Sequence, residues 1–487
     1  MIPLLGFTPD APPETPGAIL ACSNVVPTER GMAAAPSGVA PAAVGPLAAD
    51  CRGAATLTRL DGSRRLIAGT ASGLYELATG ATWDDVSRAG GYTGASEGSW
   101  QLWQFGDDTI ASDGVAPIQR STGTDFADIA GAPVAQVLCT SNNFVLGFNT
   151  SDAGYGVSPD RWWCSALLDA SDWTPDVATQ CTTGRLVSVP GEIVAALPFG
   201  SQVVAYKSGG MYLGSYVGAP VVWQWDQIPG DQGCAGPDAV CDVRLAGAPA
   251  AHVFVGADGN IYLFAGAQAV SIATGKVRRF FAEDSSPNYR YKTICQFDRQ
   301  TNRVWIFYPS RFSSTPDSAL VYHMETQRWG HVQIAVNAAM NYVSPGYGID
   351  DLPTVGGEID DITIPFDSQY WLAGGRALSV FSGGQLQALV GASSGCSITT
   401  GDVGDDDQYS TLRSIRARFL RAPLSGSGQV YQKANSGENA TAGGAMSMTG
   451  SRWDVMQSAR WHSARLDVTG DCELNALRFD LVPDGLE

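Results

Sequence analysis

RRLIAGTASGLYELATGATWDDV, residues 64–86, alternates short β-prone runs with turn residues. Leu66, Ile67 and Ala68 form one run, Leu74 to Leu77 a second, and Trp83 and Val86 close the unit. Ser72-Gly73 and Thr79-Gly80 stand between them, where the positive φ that glycine tolerates suits a tight hairpin turn. The pattern returns along the chain. SDGVAPIQR ends at Arg120 and leads to Phe126-Ala127-Asp128-Ile129, and SGGMYLGSY ends at Tyr216 and leads to Trp225-Asp226-Gln227-Ile228. ADGNIYLF (257–264) and GGRALSVF (374–381) repeat the hairpin without the aromatic ending.

The closing aromatics set a period. Trp83, Phe126, Trp173 and Trp225 are separated by 43, 47 and 52 residues, and Trp329 follows after 104, two periods with one aromatic missing near Lys276. A β-rich unit recurring every roughly 40–50 residues is the length signature of a propeller blade. Each such sheet cannot bury both faces alone, so blades stack radially. The expected fold is all-β: a degenerate β-propeller of about six to seven blades over residues 51–395, an extended arm over 1–50 and a small β domain over 396–487.

Nine prolines fall in the first 50 residues. They remove amide donors and fix φ, so this segment is expected to be extended and outside the middle of a sheet. Leu4, Leu5, Phe7, Ile19, Leu20, Val25 and Val26 are too apolar for a free tail and predict an arm laid on the protein or on a neighbour. In the last zone Ile415, Ala417 and Phe419 alternate with Arg416 and Arg418, and Leu477, Phe479 and Leu481 alternate with Arg478 and Asp480, the period of half-buried strands.

The 487 residues are too many for one core. Glycine is abundant at 57 residues and charged residues scarce at 16%, which suits a turn-rich β protein covered by partners. The net charge of −18 argues against a general nucleic-acid binder. Charge is unevenly divided. Residues 408–470 hold eight Lys or Arg against Glu438, Asp454 and Asp467, a net of +5, which leaves −23 for the rest of the chain. Arg413, Arg416, Arg418, Arg421, Arg460 and Arg465 are therefore candidates for docking on an acidic protein surface. Asp350, Asp351, Glu358, Asp360, Asp361 and Asp367 fall in a stretch without Lys or Arg, a candidate channel lining that faces an anion without holding it.

No apolar run reaches the ~20 residues of a membrane-spanning helix. The first residues lack the basic and apolar regions of a signal peptide, so the ten cysteines are expected to be free thiols, with Cys234 and Cys241 the one pair placed to bridge on oxidation. No metal or cofactor site is expected, and no nucleophile elbow, phosphate loop or H-E-x-x-H motif is present. Asp84, Asp85, Asp128, Asp172 and Asp226 recur at similar positions, as turn-capping residues do, so no enzyme is expected.

Several stretches resemble one family. Thr15-Pro16-Gly17, Cys22-Ser23-Asn24, Pro27 and Gly31, the acidic GEIDDITIPFDSQYW (357–371) and the closing SARWHSARLDVTGD (458–471) are similar to tail hub or nozzle proteins of short-tailed bacteriophages, also called packaged-DNA stabilisation proteins. The resemblance implies a propeller protein of the virion tail, assembled in the host bacterial cytoplasm as a hexameric ring below the portal and adaptor. It implies a lower DNA channel that conducts DNA without specific binding and carries tailspikes, fibres or a needle. Two other classes compete: a carbohydrate-binding adhesin displaying Trp162-Trp163 or Trp223/Trp225 on exposed loops, and a propeller glycosidase.

Overall fold

The computed structural model describes residues 1–41, 44–78, 82–94, 97–343 and 375–485. Blade one is the antiparallel sheet Ala54–Thr58, Arg64–Gly69, Leu74–Leu77 and Trp83–Asp85. Four further blades follow the same up-and-down order, with first strands at Gln101–Phe105, Val134–Ser141, Ile193–Phe199 and Val240–Val243. A sixth unit, Ile294–Asp298 to Trp329–Gln333, has the same form but is continuous with a larger sheet. The seventh combines Ala338–Val343, Arg376–Ser382 and Gln385–Gly391 with Ser37–Val39 from the other end of the chain. The first strands of successive blades adjoin around an axis, the seventh meeting the first. The fold is a β-propeller, and its ring is closed by that N-terminal strand.

The middle strands explain why the sequence pattern is degenerate. Ala251–Val255, Ser318–His323 and nearly all of Arg303–Tyr308 are buried throughout, without in–out alternation. Each lies between two neighbouring blades, so both faces are covered and both must be apolar. The closing aromatics sit at or near the fourth strand: Trp83 opens one, Phe126 precedes one, and Trp225 and Trp329 lie within theirs. Trp173 instead lies in the connection before Thr182–Arg185, buried, with its indole N–H on Ala170 O at 2.9 Å. The long gap before Trp329 is blade five, whose fourth strand, Ala269–Ser271, has no aromatic.

One turn differs from its expected geometry. Gly73 does not take up a positive φ; Thr70 Oγ1 accepts its amide at 3.1 Å, and its carbonyl accepts the Thr70 amide at 2.8 Å. A Cβ there would lie 2.9 Å from the Tyr75 ring, which would have to shift to admit it. The Thr79-Gly80 turn is outside the described residues. Gly259 (φ 74°) does supply the positive φ in its hairpin.

The C-terminal β domain is built from two facing sheets. Tyr409–Arg421 pairs with Arg452–Ala459 on one side and the 13-residue strand Glu473–Gly485 on the other. Trp461–Thr469 pairs with Ser425–Lys433 and Gly395–Thr400 in the second sheet, and Thr441–Thr449 joins both. Leu412, Ile415, Val430, Trp453, Ala464 and Leu466 fill the space between them.

The N-terminal segment weaves through both parts. Ile2–Pro3 and Met32–Ala34 extend the sheet at Glu473–Gly485, and Val25–Pro27 bridges Met32–Ala34 to Trp329–Gln333 of blade six. Ala18–Ser23 lies between Gly6–Phe7 and Gly395–Thr400, in mid-sheet, contrary to the expectation for this zone. It can do so because it contains no proline; Pro9, Pro12, Pro13 and Pro16 stand in the turns before it. The short helix Arg278–Asp284 packs Phe280 edge-on against Phe7 at 4.9 Å, and Asp10 accepts its first amides, Arg279 N at 2.6 Å and Phe280 N at 3.0 Å. Among the described residues no helix is long and apolar enough to cross a membrane.

Candidate functional site

A cavity of about 630 Å³ occupies the propeller axis where the first strands begin. Most of its charged groups come from connections between blades, because those loops must converge on the axis to start each inner strand. Asp238, before blade five, accepts the Gln101 amide of blade two at 3.2 Å. Burial raises the Asp238 carboxyl, and bonds from Ser99 and Gln101 partly offset this. Glu97, in the connection to blade two, meets the Tyr291 hydroxyl and, at 3.1 Å, the Lys292 ammonium, both from the connection to blade six. The Tyr291 bond, more than the lysine, holds the Glu97 carboxyl below its ordinary range; burial and that carboxylate push Tyr291 up to about 12. Blade two neighbours neither blade five nor blade six in the ring. These contacts therefore brace the axis from opposite sides, with the carboxylates engaged in holding the scaffold.

The charged candidates divide three ways. Asp350, Asp351, Glu358, Asp360, Asp361 and Asp367 all lie outside the described residues. Arg421, Arg460 and Arg465 are engaged within the chain. Arg421 forms an ion pair with Asp471, Arg465 Nε lies 3.1 Å from Asp467, and Arg460 bonds Asn435 at 3.3 Å and covers the Tyr409 ring at 5.0 Å. Arg413, Arg416 and Arg418 point outward from the exposed face of Tyr409–Arg421.

Register adds two residues to that face. Arg416 stands opposite Arg478 in one neighbouring strand and opposite Arg452 in the other, making a row of three arginines across three strands. Arg452 is offset by Asp454 at 2.5 Å, and Arg413 lies near Asp484. The side chains of Arg416, Arg418 and Arg478 have no hydrogen bond or ion pair among the described residues. Composition could reveal the basic module but not the row, because the pairing joins positions 36 and 62 residues from Arg416.

Other candidate groups have structural partners. Asp85 accepts the Ser87 amide and Asp172 the Thr174 amide, both at 2.9 Å, as turn caps do, whereas Asp128 pairs with Arg88 at 2.7 Å. In the acidic turn at 402–407, Asp402 is buried against Lys433 at 2.5 Å and Asp406 accepts the Trp461 indole at 2.6 Å. Trp162, Trp163 and Trp223 are buried in strands and not displayed on loops; Trp162 and Trp223 pack around half-buried Trp225 between blades three and four. All ten cysteines are free, Cys234 and Cys241 included, and Cys396 and Cys472 have their sulfurs 3.8 Å apart.

No protein-family model matches the chain, and no curated protein matches it in sequence. Among solved structures it is similar to the computationally designed Ika8 protein, at 12% identity over 72% of this chain and 99% of that one, with a TM-score of 0.34. A similarity that low carries no argument about function.

Proposed function

We propose that this chain is a structural protein of a short-tailed bacteriophage tail, a nozzle or hub subunit that forms the lower channel. In this reading copies assemble as a hexameric ring below the portal and adaptor, retain and conduct the genomic DNA, and anchor tailspikes, fibres or a needle. The virion tail is its location, after assembly in the host cytoplasm. The net charge of −18 suits a channel wall, since an acidic surface gains nothing from counterion release and lets DNA slide.

One observation carries the reading. Backbone pairing runs without a break from blade six through Val25–Pro27 and Met32–Ala34 into the strand Glu473–Gly485 and the C-terminal sheets. Load applied to either module passes to the other through hydrogen bonds and not through a hinged linker. That suits a subunit held between a portal and an appendage. Negative-stain imaging of the purified chain should give closed rings of about six subunits, which a head-to-tail interface generates when its rotation closes. Single propellers at every concentration, or specific binding on a glycan array, would replace this reading with the adhesin one.

A further inference from the structure

We infer that the arginine face of the C-terminal domain docks on a carboxylate-bearing surface of a second copy of this chain. The inference rests on the reading of the protein as a ring-forming subunit and names the surface that makes the contact. Three observations carry it.

The first is the row itself. Directly opposed like charges destabilise a sheet, and Arg416 faces an arginine on both sides. Of the three, only Arg452 has a carboxylate partner, Asp454. Cross-strand Cβ atoms stand about 5 Å apart, inside the roughly 8 Å screening length of physiological salt, so solvent ions alone do not fully remove the repulsion between the side chains they carry. An arriving carboxylate would.

The second is the company the arginines keep. Met456 lies in the adjoining strand at 84% exposure, Leu420 continues the Arg416–Arg418 alternation at 42%, and the face contains no lysine. Arginine and methionine with little lysine is the composition of a protein interface core. The planar guanidinium fork also matches carboxylates two bonds at a time.

The third is complementarity. Outside residues 408–470 the chain carries −23, so another copy presents far more acidic surface than Asp454 and Asp480, which stand opposite Ser414 beside the row, supply on this face. A phosphate backbone would meet the same arginines only by approaching an acidic protein.

The test is sedimentation velocity on the full chain and on R416E/R418E/R478E, with the milder R416Q/R418Q/R478Q as a second variant and circular dichroism to verify folding. The wild type should self-associate, about tenfold more weakly at about 500 mM than at about 50 mM salt, as electrostatic contacts do. The glutamate variant should lose that association at low salt, and the glutamine variant should weaken it, with melting temperature unchanged or raised. Equal association of wild type and both variants overturns the inference, as does a wild type that stays monomeric. So does binding of a duplex DNA that the variants lose while still self-associating. Rings that form in wild type and variants alike would leave the tail reading standing and this inference refuted. Salt-sensitive pairs without rings would do the reverse.

Discussion

Arg65 and Glu76 form a two-bond ion pair inside blade one, Nε to Oε1 at 2.8 Å and Nη2 to Oε2 at 2.7 Å, with the guanidinium almost wholly buried. The remaining nitrogen crosses to blade two, where Thr109 Oγ1 accepts it at 3.2 Å and Ser121 Oγ at 2.9 Å. One buried side chain thus ties the two sheets together at their facing surfaces, alongside contacts nearer the rim such as Leu60 N to Asp107 Oδ1 at 3.0 Å.

The two partners are not equally replaceable. Glu76→Gln leaves a buried guanidinium without its counter-charge and should cost about 3 kcal/mol. Arg65→Met leaves a carboxylate that water can still reach and fills the space with apolar atoms, so its cost should be smaller. Urea unfolding of the two variants measures the difference; equal losses would mean that the pair does not act through the buried charge.

Acid should weaken the fold well above the carboxylate range. His252 is buried between blades four and five, accepting the Tyr206 hydroxyl at 2.8 Å and donating to Pro198 O at 2.9 Å, and burial lowers its pKa to about 4. Burial also lowers His323, His331 and His462. The unfolded chain takes up these protons near pH 6.5 while the folded chain refuses them, so stability is full above pH 6.5 and falls toward pH 4. His252 alone should account for about 3 kcal/mol across that window. Thermal midpoints measured from pH 7.5 to 4.5 check this, and a flat profile would contradict it.

The thiols should be free but slow to react. Burial raises Cys22, Cys51, Cys164, Cys181 and Cys234 to about 12, and a thiol held protonated is a poor nucleophile. Iodoacetamide should label few of the ten in the native protein and all ten after denaturation without reductant, read by intact mass. Two labels missing per bridge would reveal disulfides instead.

Closure of the ring should depend on the strand Ser37–Val39. A Cβ at Gly38 would lie 2.5 Å from Gln387 Oε1, the end of a flexible side chain, and 3.1 Å from Gln387 Cβ. Gly38→Val should therefore displace this strand and cost about 1–3 kcal/mol, as overpacking does. Hydrogen exchange should rise first in Gln385–Gly391, its partner in blade seven. Uniform loss of protection across all blades would place the closure elsewhere.

Local pairing was the legible part of the sequence. Leu66–Ala68 and Leu74–Leu77 are joined by a few residues, so their hairpin is visible in turn chemistry and run length. Blade seven was not, because three residues in a proline-rich zone pair with a strand about 350 positions away. Trp162 and Trp163 show the same limit: neighbouring indoles suggest a display surface until the sheets that cover them are known. In the C-terminal domain, alternation correctly separated Ile415 and Ala417 from Arg416 and Arg418, but only register could set Arg478 beside them.

The order of synthesis gives the N-terminal prolines a further meaning. Ser37–Val39 leaves the ribosome long before Gln385–Gly391 exists, an interval of roughly 20–70 s at about 5–20 residues per second. Throughout it, strands that will end in mid-sheet have no partner, which is the condition for pairing with another nascent chain. Prolines at 3, 9, 12, 13, 16, 27 and 36 divide the arm into short pieces, the longest of which, residues 17–26, keeps Ala18–Ser23 whole for its eventual place beside Gly395–Thr400. The arm is built to wait.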